Sequence, residues 1–213
     1  MPKKRKVLKS TATAAGRGGR GFGRGGGHGT RDDGGDTGNP SSQDFQRLAK
    51  MLARINVTLG NLINEDHGVL DPKLRAQFIR TWPQAANNLT RTIRRLHEEA
   101  IRTPSAAHRP NPLGRQLGRA GLTGDMLRMK ETSLNFYLDP VDQIITQPLT
   151  GTETLGEKVL SKLLTWTKPA LKVMNSILGS LLKAFPGMEV VKELKDHVEA
   201  GYEIAGAKEE DRQ

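Results

Sequence analysis

Residues 44–62 read DFQRLAKMLARINVTLGNL and indicate an α-helix. Their apolar side chains recur at intervals of 3, 4, 3, 4 and 3 residues, at Phe45, Leu48, Leu52, Ile55, Leu59 and Leu62. This is the heptad spacing of an amphipathic helix, whereas a half-buried strand would alternate apolar and polar residues. Ser41, Ser42 or Asp44 can cap its N-terminus. Because a thin core would leave such a stripe uncovered, we expect self-association through Leu48, Leu52, Ile55 and Leu59.

Two shorter helices are predicted to follow this seam. The second helix is indicated by Leu74, Phe78, Ile79 and Trp82 after a start at Asp71-Pro72, and Pro83 is expected to end it. A third helix is expected over residues 89–100, before Pro104.

The C-terminal half is also predicted to be helical, apart from one short segment. Residues 133–138 (SLNFYL) suggest a strand or an extended stretch that Pro140 closes. Leucine-rich stripes over residues 155–164 and 171–185 indicate two helices separated by a break at Pro169.

Charge and composition divide the chain into five segments. Lys and Arg total 33 and Asp and Glu total 23, a net charge of +10 that is unevenly distributed over the 213 residues. The segments are a disordered Gly/Arg-rich basic tail (1–42), a helical region with the heptad seam (43–103), an Arg/Pro/Gly-rich basic linker (104–132), a Leu-rich helical region (133–187) and an acidic helix and tail (188–213). We therefore expect a mostly α-helical fold, a small helical assembly between a disordered tail and an acidic C-terminus.

Several classes of protein are disfavoured by composition. The absence of cysteine excludes disulfides, a cysteine zinc site and a thiol nucleophile. The five histidines are scattered, without the spacing of a metal site or a catalytic motif. No apolar run approaches the ~20 residues that span a bilayer. We expect a soluble, intracellular protein that is not an enzyme, holds no metal or cofactor, and has no integral membrane association.

The excess positive charge suggests a polyanionic partner, either nucleic acid or an acidic membrane surface. Residues 16–27 read GRGGRGFGRGGG, an RGG box. Guanidinium groups at this spacing fork onto phosphates or stack on bases, and glycine lets the backbone follow an irregular RNA. A plain linker is the alternative, but the regular spacing favours RNA binding by Arg17, Arg20, Phe22 and Arg24.

A second basic element covers residues 86–130, with nine basic and three acidic side chains. Some of these arginines could simply form the solvated face of a helix. That explanation is weaker for the arginines of the Pro/Gly-rich part, where no helix is expected. Phosphate contact is more economical, and it assigns RNA binding to Arg91, Arg94, Arg95, Arg109, Arg115, Arg119 and Arg128.

Residues 2–7 read PKKRKV, a cluster typical of a nuclear localisation signal. Lys3, Lys4, Arg5 and Lys6 would enter acidic grooves on an importin. A solvated charge run or an appended tag are the alternatives.

The leucine stripes of residues 155–164 and 170–185 allow three interpretations. Core packing or self-association is the usual role of an apolar helical face. Residues 170–185, with two lysines, could instead lie on a membrane surface, although their polar face is weakly basic. The stripe also fits the spaced pattern of a nuclear export signal, formed by Leu155, Val159, Leu160, Leu163 and Leu164.

Residues 119–126 read RAGLTGDM after an Arg/Pro/Gly stretch, and this region resembles the arginine-rich region of the umbravirus long-distance RNA movement proteins. Length, basicity, the lack of cysteine and the downstream Leu-rich segment agree with that family over about residues 90–185. The resemblance implies a plant-virus protein that binds single-stranded viral RNA, oligomerises into filamentous ribonucleoprotein, and protects RNA during phloem transport.

The resemblance also implies movement between host cytoplasm, nucleus and nucleolus, with importin, exportin and the nucleolar protein fibrillarin as partners. Arg115 and Arg119 would belong to the nucleolar and RNA-binding element, and residues 155–164 to the segment that contacts exportin and fibrillarin. The leading hypothesis is non-catalytic packaging of RNA by a homo-oligomer. The alternative is an adaptor that works by protein contacts, such as a suppressor of host RNA silencing or RNA decay.

Overall fold

Six α-helices make up the described part of the chain. The computed structural model describes residues 40–103, 111–146 and 156–211, and no strand is present in these ranges. The predicted mostly α-helical fold is therefore confirmed. Residues 1–39 of the predicted basic tail lie outside the described residues. All six helices belong to one folded unit, Asp36–Gln213, and they are α1 (Ser42–Asn64), α2 (Pro72–Arg102), α3 (Pro112–Arg119), α4 (Gly124–Ile145), α5 (Glu157–Leu181) and α6 (Met188–Glu210).

Helix α1 begins with a capping box. The Ser41 hydroxyl accepts a hydrogen bond from the Asp44 backbone N–H at 3.3 Å, and the Asp44 carboxylate accepts one from the Ser41 backbone N–H at 2.9 Å. The box satisfies two backbone donors that have no partner within the helix. Ser41 is therefore the N-cap among the three candidates in the sequence.

The heptad seam of α1 lies in the core of the unit. Leu48, Leu52, Ile55 and Leu59 are each 0% exposed, because α1 packs against both α2 and α4. The prediction that these four leucine and isoleucine side chains mediate self-association is therefore wrong for this fold. A heptad stripe has the same spacing whether it faces its own core or a second copy, so the sequence alone could not separate the two.

Three prolines lie inside helices rather than at their ends. Pro83 is within α2, Pro140 within α4 and Pro169 within α5, so the breaks predicted at these positions are wrong. A proline leaves unpaired the carbonyl four residues earlier. In each of these helices that carbonyl belongs to an exposed residue, where water can replace the missing donor. Packing on both sides of each proline then keeps the helix continuous.

The predicted strand at residues 133–138 is the middle of α4. Leu134 and Leu138 are 0% exposed and lie one turn apart, whereas Phe136 between them is 61% exposed. The inward-facing positions continue to Val141 with helical spacing. Six residues were too few to distinguish this period from a strand.

The predicted linker of residues 104–132 contains ordered helix from residue 112 onward. Asn111 caps α3, as its side-chain oxygen accepts a hydrogen bond from the Leu113 backbone N–H at 2.8 Å. Pro112 occupies the first turn, where a proline costs no hydrogen bond, and Leu113 and Leu117 are buried. The expectation that no helix face exists here is therefore wrong, while residues 104–110 lie outside the described residues.

The five long helices enclose one hydrophobic core. Helix α1 packs on α2, α2 on α6, α6 on α5, α5 on α4, and α4 on α1 again, so the order of packing closes on itself. Helix α6 is the predicted acidic helix, and the turn before it contains Gly187 at φ +91°. Such a positive φ favours glycine. The loop around this glycine positions the surface described next.

Candidate nucleic-acid interface

Carboxylates neutralise the arginines between α1 and α4. The Arg54 guanidinium contacts Asp139 at 2.6 Å and Asp142 at 2.8 Å, and Arg47 contacts Glu131 at 2.6 Å. Partial burial lowers the pKa of Arg54, but the hydrogen bonds and charges of the two aspartates outweigh burial and raise it overall. These arginines therefore join α1 to α4 and are not available to an anionic ligand.

Two arginines of the second basic element are also compensated by acids. Arg128, predicted to bind RNA, pairs with Asp125 one turn earlier in α4. Arg102 lies 3.8 Å from Glu99 in the last turn of α2. The structure thus makes Arg128 a weaker candidate for phosphate contact than the sequence suggested.

Several other basic residues lie around the turn between α5 and α6, residues 182–187. On one side of this turn, Arg95 of α2 lies over the Phe185 ring with its guanidinium carbon 5.4 Å from the ring centroid. The Asn88 side-chain N–H donates to the Gly187 carbonyl at 3.2 Å, and Arg91 donates to the Asn88 side-chain oxygen at 2.6 Å. These contacts fix the turn against α2.

Helix α3 approaches the same turn from another side. The Gln116 side-chain N–H donates to the Lys183 backbone carbonyl at 2.8 Å. Arg115, Arg119 and Lys183 line an open cleft of about 630 Å³ beside this bond, together with Pro112 and Ala120. Because all three basic side chains are exposed, the cleft presents positive charge from two separate segments of the chain.

We call Arg95, Arg115, Arg119 and Lys183 the turn cluster. None of the four forms an ion pair with a carboxylate among the described residues. Two acids lie at its margins: Glu99 accepts a hydrogen bond from Asn111 at 2.9 Å, and the Glu189 carboxylate accepts one from the Gly187 backbone N–H at 2.9 Å. Neither forms an ion pair with the cluster, so its four exposed basic side chains have no carboxylate partner among the described residues.

The structure brings together some of the sequence-predicted residues and not others. Arg91 and Arg95 contact the turn through Asn88 and Phe185 and so join Arg115 and Arg119 around it, whereas Arg94 is exposed on α2. Nine other predicted positions lie outside the described residues, five for RNA binding and four for nuclear import: Arg17, Arg20, Phe22, Arg24 and Arg109, and Lys3, Lys4, Arg5 and Lys6.

The predicted export segment is only partly accessible. Leu163 is 0% exposed and belongs to the core, while Val159, Leu160 and Leu164 are half-buried. Leu155 lies outside the described residues. An exportin that takes one side chain per pocket would therefore meet an incomplete set unless α5 turned or unwound at its start.

Sequence reasoning missed Lys183 as a member of this surface and Phe185 as the buried ring beneath Arg95. Both were assigned to a leucine-rich helix and its possible membrane face. Their role depends on contacts with Arg95 and Gln116, which are distant in sequence, so no local pattern could have indicated it. The one available signal was Pro186-Gly187, which places a lysine at a helix end and hence near a loop.

Neither a membrane span nor a metal site is present in the described ranges. No helix there combines the length and apolar character needed to cross a bilayer. No group of three or more His, Asp or Glu in the described part of the chain could hold a metal ion.

Comparisons with known proteins give no independent assignment. The chain was compared with models of protein families, with curated proteins and with solved structures, and none of them matches it. The function therefore has to be argued from the residues and their arrangement.

Proposed function

We propose that this protein binds single-stranded RNA without sequence preference and packages viral RNA into ribonucleoprotein for protection and long-distance movement. The observation that carries the proposal is the turn cluster: four exposed basic side chains converge on one turn without a carboxylate partner among the described residues. The arginines between α1 and α4, in contrast, are paired with acids.

An uncompensated basic cleft is suited to a phosphate backbone. Guanidinium groups bind phosphate oxygens through two parallel N–H bonds, and a lysine adds a mobile point charge. Each phosphate that is neutralised releases bound counterions, which makes the affinity fall as salt rises. The cleft is wide and open, and its lining offers one amide side chain, Gln116. That favours contact with the backbone over the reading of bases.

The test is a neutralised variant with a matched control. Arg115→Gln/Arg119→Gln/Lys183→Gln removes three charges from the cleft, and Lys50→Gln/Lys73→Gln/Arg80→Gln removes three exposed charges elsewhere. The dependence of affinity for oligouridylate on salt should be measured by fluorescence anisotropy for both. Removing three phosphate contacts should reduce the slope of log affinity against log salt by about 2.

The control variant separates specific contact from total charge. If the control loses as much slope as the cleft variant, binding follows net charge and the cleft has no special role. If the wild-type protein shows no salt-dependent affinity, RNA binding itself is refuted.

Packaging makes a further demand, which also separates it from the adaptor alternative. A packaging protein binds in amounts proportional to RNA length and forms particles with long RNA that electron microscopy can record. An adaptor would bind its protein targets with no such stoichiometry. Shuttling through nucleus and nucleolus with importin, exportin and fibrillarin remains part of the proposal by resemblance, because the predicted import residues Lys3, Lys4, Arg5 and Lys6 lie outside the described ranges and Leu163 of the export segment is buried.

A further inference from the structure

We propose that the surface formed by α4 and α5 is a second RNA element, where bases of single-stranded RNA stack on Phe136 and its aromatic neighbours. This inference rests on the proposed RNA-binding function and assigns to it a site that neither the RGG box nor the turn cluster contains. It is carried by an exposed aromatic cluster, by a lysine beside it, and by its position on the helix that leads to Lys183.

Three aromatic rings meet on this surface. The Phe136 ring lies edge-on to Trp166 with centroids 5.7 Å apart, and Tyr137 lies 6.2 Å from the same indole. Phe136 is 61% exposed, whereas Tyr137 and Trp166 are half-buried. The two inner rings therefore hold Phe136 in place while its surface stays accessible. Aromatic rings are rare in this chain, at 4% of residues, which makes their convergence on an exposed site unlike ordinary core packing.

Base stacking explains such a cluster because every nucleobase has a π face. Proteins that bind single strands combine aromatic platforms with positive charge that follows the backbone. An exposed ring braced by others offers this contact with little loss of side-chain entropy.

The charges around the rings fit phosphate. Lys162 lies one turn before Trp166 in α5 and Lys172 lies six residues after it; both are exposed and form no ion pair within the described ranges. The Lys130 ammonium of α4 donates to the Ser176 hydroxyl of α5. Lys162 is therefore the lysine beside the rings, and Lys130 and Lys172 lie farther along α4 and α5.

The acids of α4 serve the contact with α1. Asp139 and Asp142 share the guanidinium of Arg54, and Glu131 shares that of Arg47 with Asp44. Lys162 forms no such pair within the described ranges. An exposed ring with an unpaired lysine one turn away is the combination that proteins use to bind single strands, which favours RNA over self-association as the occupant.

The position of the cluster connects it to the turn cluster. From Trp166 to the last residue of α5, Leu181, the helical rise is about 22 Å. Lys183 follows immediately and belongs to the basic cleft. A single strand that stacks at Phe136 can therefore follow α5 to Lys183, with Lys172 between the two sites.

The test compares an RNA with bases and one without. Affinities for oligouridylate and for an abasic oligomer of the same length should be measured for wild type, Phe136→Ala and the control Ile101→Ala, which truncates an 83% exposed aliphatic side chain on α2. Phe136→Ala should weaken oligouridylate binding about 5- to 150-fold, as expected for one lost stacking contact. Binding of the abasic oligomer, the salt slope and the behaviour of Ile101→Ala should not change.

The other possible results distinguish a failure of the stacking site from a failure of the proposed function. Unchanged oligouridylate affinity in Phe136→Ala, or an equal loss for both oligomers, overturns the stacking site while leaving the turn cluster intact. A wild-type protein without salt-dependent binding refutes the proposed function instead. A fall in the mass of RNA-free particles, with RNA affinity unchanged, would show that a second copy covers the rings.

A measurement on the unaltered chain guards against a variant that misfolds. Ultraviolet crosslinking of wild type to RNA that contains 4-thiouridine, followed by mass spectrometry, should give adducts on Phe136, Tyr137 or Trp166. Adducts that occur elsewhere and avoid α4 and α5 would overturn the stacking site.

Discussion

Leu52→Ala tests whether the α1 seam belongs to the core of a single chain. Leu52 is 0% exposed, and the substitution removes three carbon atoms worth about 0.8 kcal/mol each, or about 2.4 kcal/mol of transfer free energy. The cavity that remains adds to this loss, so the free energy of unfolding should fall by about 3–5 kcal/mol. For a unit of this size the melting temperature should fall by roughly 6–20 °C.

The assay is urea unfolding followed by far-ultraviolet circular dichroism at several protein concentrations. Val57→Ala on the same helix is the control, because Val57 is 62% exposed and such a surface change should stay within about 0.5 kcal/mol. The dependence of the free energy on urea should keep its slope in Leu52→Ala, so that the midpoint alone moves.

One combination of results would refute the reasoning. If Leu52→Ala unfolds at the same midpoint as Val57→Ala while the mass of RNA-free particles falls, then the seam joins copies of the chain. In that case the wild-type midpoint should also rise with protein concentration, because association stabilises the folded state by mass action.

Two other predictions concern stability. His67 is 6% exposed with an unpartnered Nδ1, and burial lowers its pKa. The unfolded chain therefore binds a proton more readily than the folded protein. The stability present above about pH 6.5 should be lost as the pH falls. His67→Gln should show a smaller decrease in urea midpoint between about pH 7.5 and about pH 5.5, and an equal decrease in both proteins would contradict this origin. Gly187→Ala should lower the free energy of unfolding by about 1–3 kcal/mol, because φ is +91° and the new Cβ would lie 2.8 Å from the Asn88 amide nitrogen. Gly206→Ala, in open space on α6, should instead stabilise by up to about 1 kcal/mol, and equal effects of the two alanines in thermal unfolding would exclude the strain argument.

Local periodicity was enough to predict the helical class but not the extent of each helix. The spacing of Leu48, Leu52, Ile55 and Leu59 indicates a helix whatever it packs against, and the capping box at its start is a local signal too. Pro83 is different. Proline destabilises a helix locally because it lacks a backbone N–H, but packing on both sides of Pro83 in α2 outweighs this loss. Such packing cannot be read from a short window of sequence.

The candidate site could be predicted only in part, for a related reason. The excess of basic over acidic residues in 86–130 was enough to select Arg95, Arg115 and Arg119 as candidates, because the charge of a residue can be read directly from the sequence. Whether such a charge is free depends on the acids that the fold brings near it. Asp125 beside Arg128 is visible in the sequence, but the partners of Arg54 are Asp139 and Asp142, more than 80 residues away, and Arg119 has no carboxylate partner among the described residues.

The separation of charge in this chain follows from which helices face each other. Helix α4 carries Glu131, Asp139 and Asp142 toward α1, and these three acids engage both Arg47 and Arg54. Helices α3 and α5 supply no such acid to the turn cluster within the described ranges. The acids of α4 therefore serve the contact with α1, while the turn cluster on α2, α3 and the α5–α6 turn has no carboxylate partner among the described residues. That is the condition under which exchange of counterions for phosphates becomes the main source of affinity.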